Sequence, residues 1–254
     1  MKTLLVIPVR MGSSRFYGKP MKNICGIPMV GHCYYRAKLA QGIDDVYVAT
    51  CDDEIFNYVK SISGNVVMTS DQHERATDRT AEAVEHIEKE RGCQYDIIIM
   101  LQGDEPMVAP PSLSEMVSGF DQPDVDIVNI ISEFQSYEAF ADVNNVKVVF
   151  DKNMSALYFS RETIPSPWKS RDNLPKYMQV GIIAFRREAL NWFQDQEETA
   201  LERIESVDMN RVLENGRKIQ LVINPNATLG VDTPEELEIV EDWLAKDPVT
   251  AQYS

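Results

Sequence analysis

The sequence predicts an α/β protein built on an open, mainly parallel sheet with helices on both faces. Three observations carry this prediction. Short apolar, β-rich runs alternate with segments of helical period as far as Phe120. One of these runs, Asp96 to Leu101 (DIIIML), is almost continuously apolar and so needs cover on both faces. After Asp126 the long helical segments between runs disappear, which predicts a mixed or antiparallel extension in the C-terminal half.

The elements follow in order. Thr3 to Val9 is an apolar first strand that ends at Arg10 and a Gly/Ser loop. Pro28 to Ala40 carries helical spacing and stops before Gly42. Asp45 to Thr50 is a strand, and Asp52 to Ile62 a helix capped by Asp52 or Asp53. Val66 to Thr69 is a third strand, and Thr77 or Asp78 opens a long helix ending at Gly92. The strand Asp96 to Leu101 comes next, then a helix from Pro111 to Phe120. Asp126 to Glu133, Val146 to Asp151, Ala156 to Ser160 and Gln179 to Arg186 are strands of the extension. Leu201 to Glu214 reads as one helix, Lys218 to Ile223 as a last strand, and Pro234 to Lys246 as a closing helix capped at Thr233. With no repeat, low-complexity tract or Gly/Ser linker, residues 1–254 read as a single domain.

Composition narrows the function. The chain has 254 residues, 44% of them hydrophobic, enough to bury an ordinary core. Its 40 acidic and 25 basic residues give a net charge of −15, which repels nucleic-acid backbones and anionic membranes. An anionic small-molecule substrate therefore needs a local basic exception. The N-terminal apolar run is too short for a signal sequence, and no stretch reaches the ~18 apolar residues of a spanning helix. Four irregularly spaced cysteines without a CxxC pair fit a reduced, cytoplasmic protein.

The basic exception is the loop Arg10-Met11-Gly12-Ser13-Ser14-Arg15-Phe16-Tyr17-Gly18-Lys19-Pro20. Glycines let backbone approach a phosphate, hydroxyls and N–H groups donate to it, and Arg and Lys neutralise it. The GxxxxGK[ST] pattern of a Walker loop is absent. A solvated turn is the competing reading. Gln102-Gly103-Asp104-Glu105-Pro106 follows the strongest strand, so Asp104 falls where ligands enter an α/β sheet. Gly230-Val231-Asp232-Thr233-Pro234-Glu235 is a strand-to-helix turn. Each acid alone reads as a cap or turn residue; together they suit a hard Mg²⁺ ion that also takes phosphate oxygens. His32 and His86 lack partners at ligand spacing, and the scattered methionines read as core filler.

The runs IPVRMGSSRFYGKP, TSDQHERATDR, LQGDEPMV, ALYFSRETIP and GVDTPEEL, in this order, resemble the bacterial 3-deoxy-manno-octulosonate cytidylyltransferases, or CMP-Kdo synthetases, almost end to end. The resemblance implies a nucleotide-diphospho-sugar transferase-like three-layer α/β sandwich, a Mg²⁺ requirement and a homodimer. It implies transfer of CMP from CTP to the anomeric hydroxyl of an acidic eight-carbon sugar, releasing pyrophosphate. It assigns Arg10, Ser13, Arg15 and Lys19 to the triphosphate, Asp104 and Asp232 to the metal, Arg79 and Gln102 to the nucleotide or sugar, and Arg161 to the sugar acid.

The departures from the family pattern fall elsewhere. The usual His-x-Ser-Gly-Thr-[Asp/Glu]-Arg reads HERATDR from His73 to Arg79, which introduces Arg75. The usual His-Leu-Gly-Ile-Tyr begins instead at Gln179, and Leu-Glu-Gln-Leu-Arg becomes Val207-Asp208-Met209-Asn210-Arg211. The nucleotide and metal motifs are kept while residues the family uses around the sugar change. Arg75, Arg161, Gln179 and Asp208 are therefore the expected sugar residues, and 8-amino-3,8-dideoxy-manno-octulosonate the favoured sugar. A cationic amine wants a carboxylate or uncharged acceptor oxygens and is repelled by a protonated imidazole. Ordinary Kdo and a sialic-type nonulosonate remain alternative acceptors. A catalytically silent nucleotide binder is a further alternative, disfavoured because Lys19, Asp104 and Asp232 are retained.

Overall fold

The first strand explains the layering. β1 (Thr3–Pro8) is buried along its length because alternate side chains enter two different cores: Leu4 and Val6 on one face, Leu5 and Ile7 on the other. The computed structural model describes residues 1–12, 16–171, 174–224 and 228–254. Ser13 and Arg15 lie outside the described residues, as does Ser14 between them.

A small hairpin, β2 (Asn23–Ile24) and β3 (Ile27–Pro28), leads into α1 (Met29–Lys38). Then β4 (Asp45–Thr50), α2 (Asp53–Ser61), β5 (Val66–Met68), α3 (Ala76–Arg91), β6 (Ile97–Leu101) and α4 (Pro110–Gly119) alternate as expected. The C-terminal half supplies β7 (Ile127–Glu133), α5 (Tyr137–Ala141), β8 (Lys147–Phe150), β9 (Ala156–Ser160), β10 (Tyr177–Arg186) and α6 (Arg187–Gln194). It closes with α7 (Ala200–Glu205), α8 (Met209–Glu214), β11 (Gln220–Ile223) and α9 (Pro234–Leu244).

The main sheet runs β11-β7-β10-β6-β1-β4-β5, with β8 and β9 attached beside β10. β1, β4, β5 and β6 are mutually parallel, and β11 is parallel to β7. β10 is the antiparallel exception, inserted between β6 and β7 and hydrogen-bonded to both. The expected antiparallel extension therefore reaches into the centre of the sheet. Ile97, Ile99 and Leu101 of β6 pack with α1, α2 and α4, while Ile98 and Met100 pack with α3 and α6. Each such buried aliphatic side chain contributes about 1.5–3 kcal/mol.

Three sequence expectations change. The predicted helix Leu201–Glu214 is broken at Ser206, whose φ of 53° is left-handed, uncommon for serine, and ends α7. The break turns Val207 and Met209 into the core. Short helices α5 and α6 were not anticipated. Asp52 precedes α2 but makes no cap bond; its Oδ2 accepts from the Met11 N–H at 2.8 Å and ties down the first loop. His32 is a packing residue, with Nδ1 2.9 Å from the Tyr253 hydroxyl and Nε2 2.8 Å from the Ile24 carbonyl.

The cap of α9 is as expected and reaches further. Thr233 Oγ1 accepts from the Glu236 N–H at 3.3 Å, and Glu236 Oε2 accepts from the Thr233 and Asp232 N–H groups at 2.9 and 2.7 Å. Thr233→Ala should lower the unfolding free energy by about 1 kcal/mol. Urea denaturation with an unchanged m-value would show it.

Candidate active site

Because β1 and β6 are adjacent and parallel, the loops leaving their carboxyl ends emerge side by side. The β1 loop closes through the Gly18 N–H, which donates to the Met11 carbonyl at 2.9 Å. Gly18 takes a φ of 71°, a conformation that suits glycine and delivers Lys19 at the start of a short 3-10 turn. The β6 loop passes so close to β1 that a Cβ on Gly103 would lie 1.9 Å from Val9 Cγ1. Glycine is required there for the approach. The Val231 N–H donates to the Asp104 carbonyl at 2.9 Å, bringing the third loop onto the second.

These loops place Lys19 Nζ between the two predicted metal carboxylates. It lies 2.7 Å from Asp104 Oδ2, 2.8 Å from Asp232 Oδ1 and 2.9 Å from the Val231 carbonyl. Burial works against its charge, but the two carboxylates outweigh burial and hold the ammonium above its ordinary range. The ammonium that the sequence reading assigns to a triphosphate is, in this structure, the counter-ion of the carboxylate pair.

Two cavities meet at this cluster. The first, about 420 Å³, is lined by Arg10, Lys19, Arg75, Arg79, Gln102 and Asp104 among others. The second, about 230 Å³, is lined by Glu105, Asn144, Arg161, Gln179, Leu229 and Glu236 among others. Gln102, Asp104, Ser206, Asp208 and Asp232 border both. The break between α7 and α8 thus forms a shared wall.

Within this frame, the expected site residues divide between the two cavities and the structure behind them. Arg75 lies in the first cavity with Arg10, apart from Arg161 and Gln179, and pairs with Glu198 at 3.0 Å. Arg79 is 2% exposed; its guanidinium donates to Thr69 Oγ1 at 2.6 Å and to the Ser70 and His73 carbonyls at 3.0 and 3.4 Å. It fastens the loop before α3 more than it offers charge to a ligand. Arg10 donates to the same His73 carbonyl at 3.2 Å, and the His73 imidazole is paired with Glu82. Met209, part of the altered Val207–Arg211 motif, is core and reaches neither cavity.

Arg161 borders the second cavity. Its Nε donates to the Glu205 carbonyl at 2.7 Å and Nη1 to the Val143 and Asn144 carbonyls at 3.1 and 3.3 Å, while Nη2 has no partner among the described residues. Asp208 Oδ2 accepts from Thr77 Oγ1 at 2.6 Å. Gln179 Nε2 donates to Asn129 Oδ1 at 2.8 Å.

Four residues behind the site escaped the sequence reading. Glu105, beside Asp104, is buried and accepts from the Gly181 N–H at 3.0 Å and Thr228 Oγ1 at 3.3 Å. Lys147 is fully buried and donates from Nζ to the carbonyls of Asp142, Asn145 and Arg161, holding the rim of the second cavity. Glu205 accepts from Tyr158, Ser160 and the Arg161 N–H at 2.9, 2.8 and 2.8 Å. Asn129 is fully buried in β7. A charged or amide residue within an apolar strand was the available signal for Lys147 and Asn129.

A cleft holding arginines beside a carboxylate pair at the strand ends of an α/β sheet is a layout that nucleotide-using transferases share. Residues 4–219 match the family model described as cytidylyltransferase. A protein of Shewanella halifaxensis named 8-amino-3,8-dideoxy-manno-octulosonate cytidylyltransferase is 41% identical over 249 residues, 97% of this chain and 100% of the other. One of Syntrophus aciditrophicus named 3-deoxy-manno-octulosonate cytidylyltransferase is 39% identical over 244 residues, 96% of this chain and 97% of the other. The solved structure of CMP:2-keto-3-deoxy-manno-octonic acid synthetase complexed with CTP matches at a TM-score of 0.88 and 37% identity, covering 97% of this chain and 99% of that one. The chain belongs to the cytidylyltransferase family.

Glu105 gives the site a pH signature. Burial, and then the Asp104 charge, push its carboxyl up from the usual 4.5 to about 8. Between those values the folded protein holds a proton that the unfolded chain has lost, so stability falls as pH rises from 4.5 toward 8 and levels above it. Chemical denaturation across that range with a chelator present should show this slope, and Glu105→Gln should flatten it.

Proposed function

We propose that this chain transfers CMP from CTP to the anomeric hydroxyl of a 3-deoxy-octulosonate acid sugar, releasing pyrophosphate for lipopolysaccharide biosynthesis, and favours the 8-amino sugar over ordinary Kdo. The observation that carries the reading is the carboxylate pair at the junction of two cavities, one of about 420 Å³ bordered by Arg10 and Arg75, the other edged by Arg161. A group moves from a ligand in one cavity to a ligand in the other only where the cavities meet.

In this reading Arg10 and Arg75 face the triphosphate and balance the charge that collects on departing pyrophosphate. Arg161, its guanidinium oriented by three carbonyls, turns Nη2 to the sugar carboxylate. The sugar oxygen forms a bond to the α-phosphorus as the bond to the β-phosphate oxygen breaks, and the hydroxyl proton leaves to solvent. Asp104 Oδ2 and Asp232 Oδ1 would hold Mg²⁺, since both are hard anionic oxygens already within 2.8 Å of one cationic centre. A bound ion supplies charge neutralisation and a lowered pKa for a coordinated hydroxyl. Lys19 must then release the pair, and its ammonium becomes available to the phosphates.

The two named relatives divide between the amino sugar and ordinary Kdo at nearly equal identity. The preference for the amino sugar is supported by Gln179 and Asp208 in the second cavity, which offer an amide and a carboxylate in place of an imidazole and a longer acid. A cytoplasmic homodimer is part of the proposal, on the resemblance; no helix among the described residues is long and apolar enough to cross a membrane.

Asp104→Asn and Asp232→Asn should each keep the fold and lower Mg²⁺-supported turnover by at least about a hundredfold, measured as pyrophosphate release. Turnover within a few-fold of the parent would remove the metal assignment. Competing the two sugars at equal concentration with limiting CTP should yield mainly the amino-sugar nucleotide; a higher kcat/KM for ordinary Kdo would overturn the sugar preference.

A further inference from the structure

Asn129 interrupts an otherwise apolar stretch of β7 and is fully buried. Its Nδ2 lies 3.0, 3.0 and 2.9 Å from the carbonyl oxygens of Ile130, Val180 and Ile182. An amide oxygen turned toward three carbonyls would be repelled, so this network leaves only one orientation for the Asn129 amide. Its Oδ1 is then committed to accepting, and it accepts from Gln179 Nε2 at 2.8 Å.

The orientation passes on. Gln179 is half-buried and borders the second cavity, with its nitrogen held against Asn129 and its Oε1 without a partner among the described residues. Val180 and Ile182 flank Gly181 where the register of β10 on β7 shifts between Gln179 and Ile183. One buried amide therefore holds both this irregularity and the side chain that leaves it.

We propose that Asn129 is a positioning residue that fixes Gln179 with its amide oxygen toward the second cavity, so that the pocket presents an acceptor and selects a sugar bearing an ammonium group over one bearing a hydroxyl. This rests on the octulosonate reading above. An ammonium has three donors and no acceptor, so it gains a charge-assisted bond from a fixed oxygen and would be repelled by an amide N–H turned the same way. A hydroxyl donates or accepts and is nearly indifferent. Asp208 and Glu236 border the same cavity and add to the preference for a cation.

The test is the ratio of kcat/KM for the amino sugar to that for ordinary Kdo, at saturating CTP, in the parent, Asn129→Ala, Gln179→Leu and the double variant. Gln179→Leu should lower the ratio about tenfold, the contribution of one charge-assisted hydrogen bond. Asn129→Ala should lower it comparably in the parent but by less than about twofold when Gln179 is already Leu. A role confined to packing would change the ratio equally in both backgrounds, or not at all, and would overturn the proposal. Should Asn129→Ala not fold, an unchanged ratio in Gln179→Leu overturns it alone. The parent's own ratio reads the preceding proposal, and its change on substitution reads this one.

Discussion

Two carboxylates that face each other need positive charge between them, and most of the site can be traced to that need. Asp104 and Asp232 belong to segments far apart in the chain, and Lys19 comes from a third. Parallel pairing of β1 with β6 puts the first two loops together, and the capping box of α9, through Glu236, holds the backbone of Asp232 in place. In a chain of net charge −15 this arrangement holds one ammonium, largely buried, against two carboxylates. Arg10 and Arg75 add cations to the first cavity, beside Glu74 and Asp208.

The second cavity is organised differently. Its walls are shaped from behind by polar side chains: buried Lys147 donates to three carbonyls, the buried Asn129 amide nitrogen lies among three more, and half-buried Glu205 accepts from an N–H and two hydroxyls. Such groups add little net stability, since each gives up water for the bonds it makes. Their return is shape. A loop whose carbonyls converge on one ammonium has a single arrangement, and Arg161 inherits its direction from it.

Legibility in the sequence followed the range of the interactions. Strands such as β1, β4 and β6, and helices with their own stop signals such as α1 and α3, were readable because period and caps are local. The break at Ser206 was not, because Leu201–Glu214 keeps helical composition and only the core demand for Val207 and Met209 bends it. The loops bearing Lys19, Asp104 and Asp232 were recognisable one at a time, and the resemblance brought them together. That Lys19 lies between the acids, or that Arg75 sits with Arg10 and away from Arg161, depends on contacts between distant segments. Ser13 and Arg15 fall outside the described residues.

The antiparallel strand β10 has a consequence for how the protein is made. It lies between β6 and β7, about eighty residues after the first and fifty after the second, counted along the chain. During synthesis, β1, β4, β5 and β6 can pair as soon as they emerge, which leaves Ile97–Leu101 as an unprotected apolar edge. Until Tyr177–Arg186 arrives, that edge has no partner strand, and contacts of such long sequence separation form slowly. Gln102 and Glu105 likewise wait for Gly181, their partner in that strand. A nascent chain stopped short of it would carry the loop that bears Lys19 and an exposed edge suited to aggregation, without the second cavity. The arrival of β10 therefore closes the β6 edge and raises one wall of the second cavity together, ahead of β11 and Asp232.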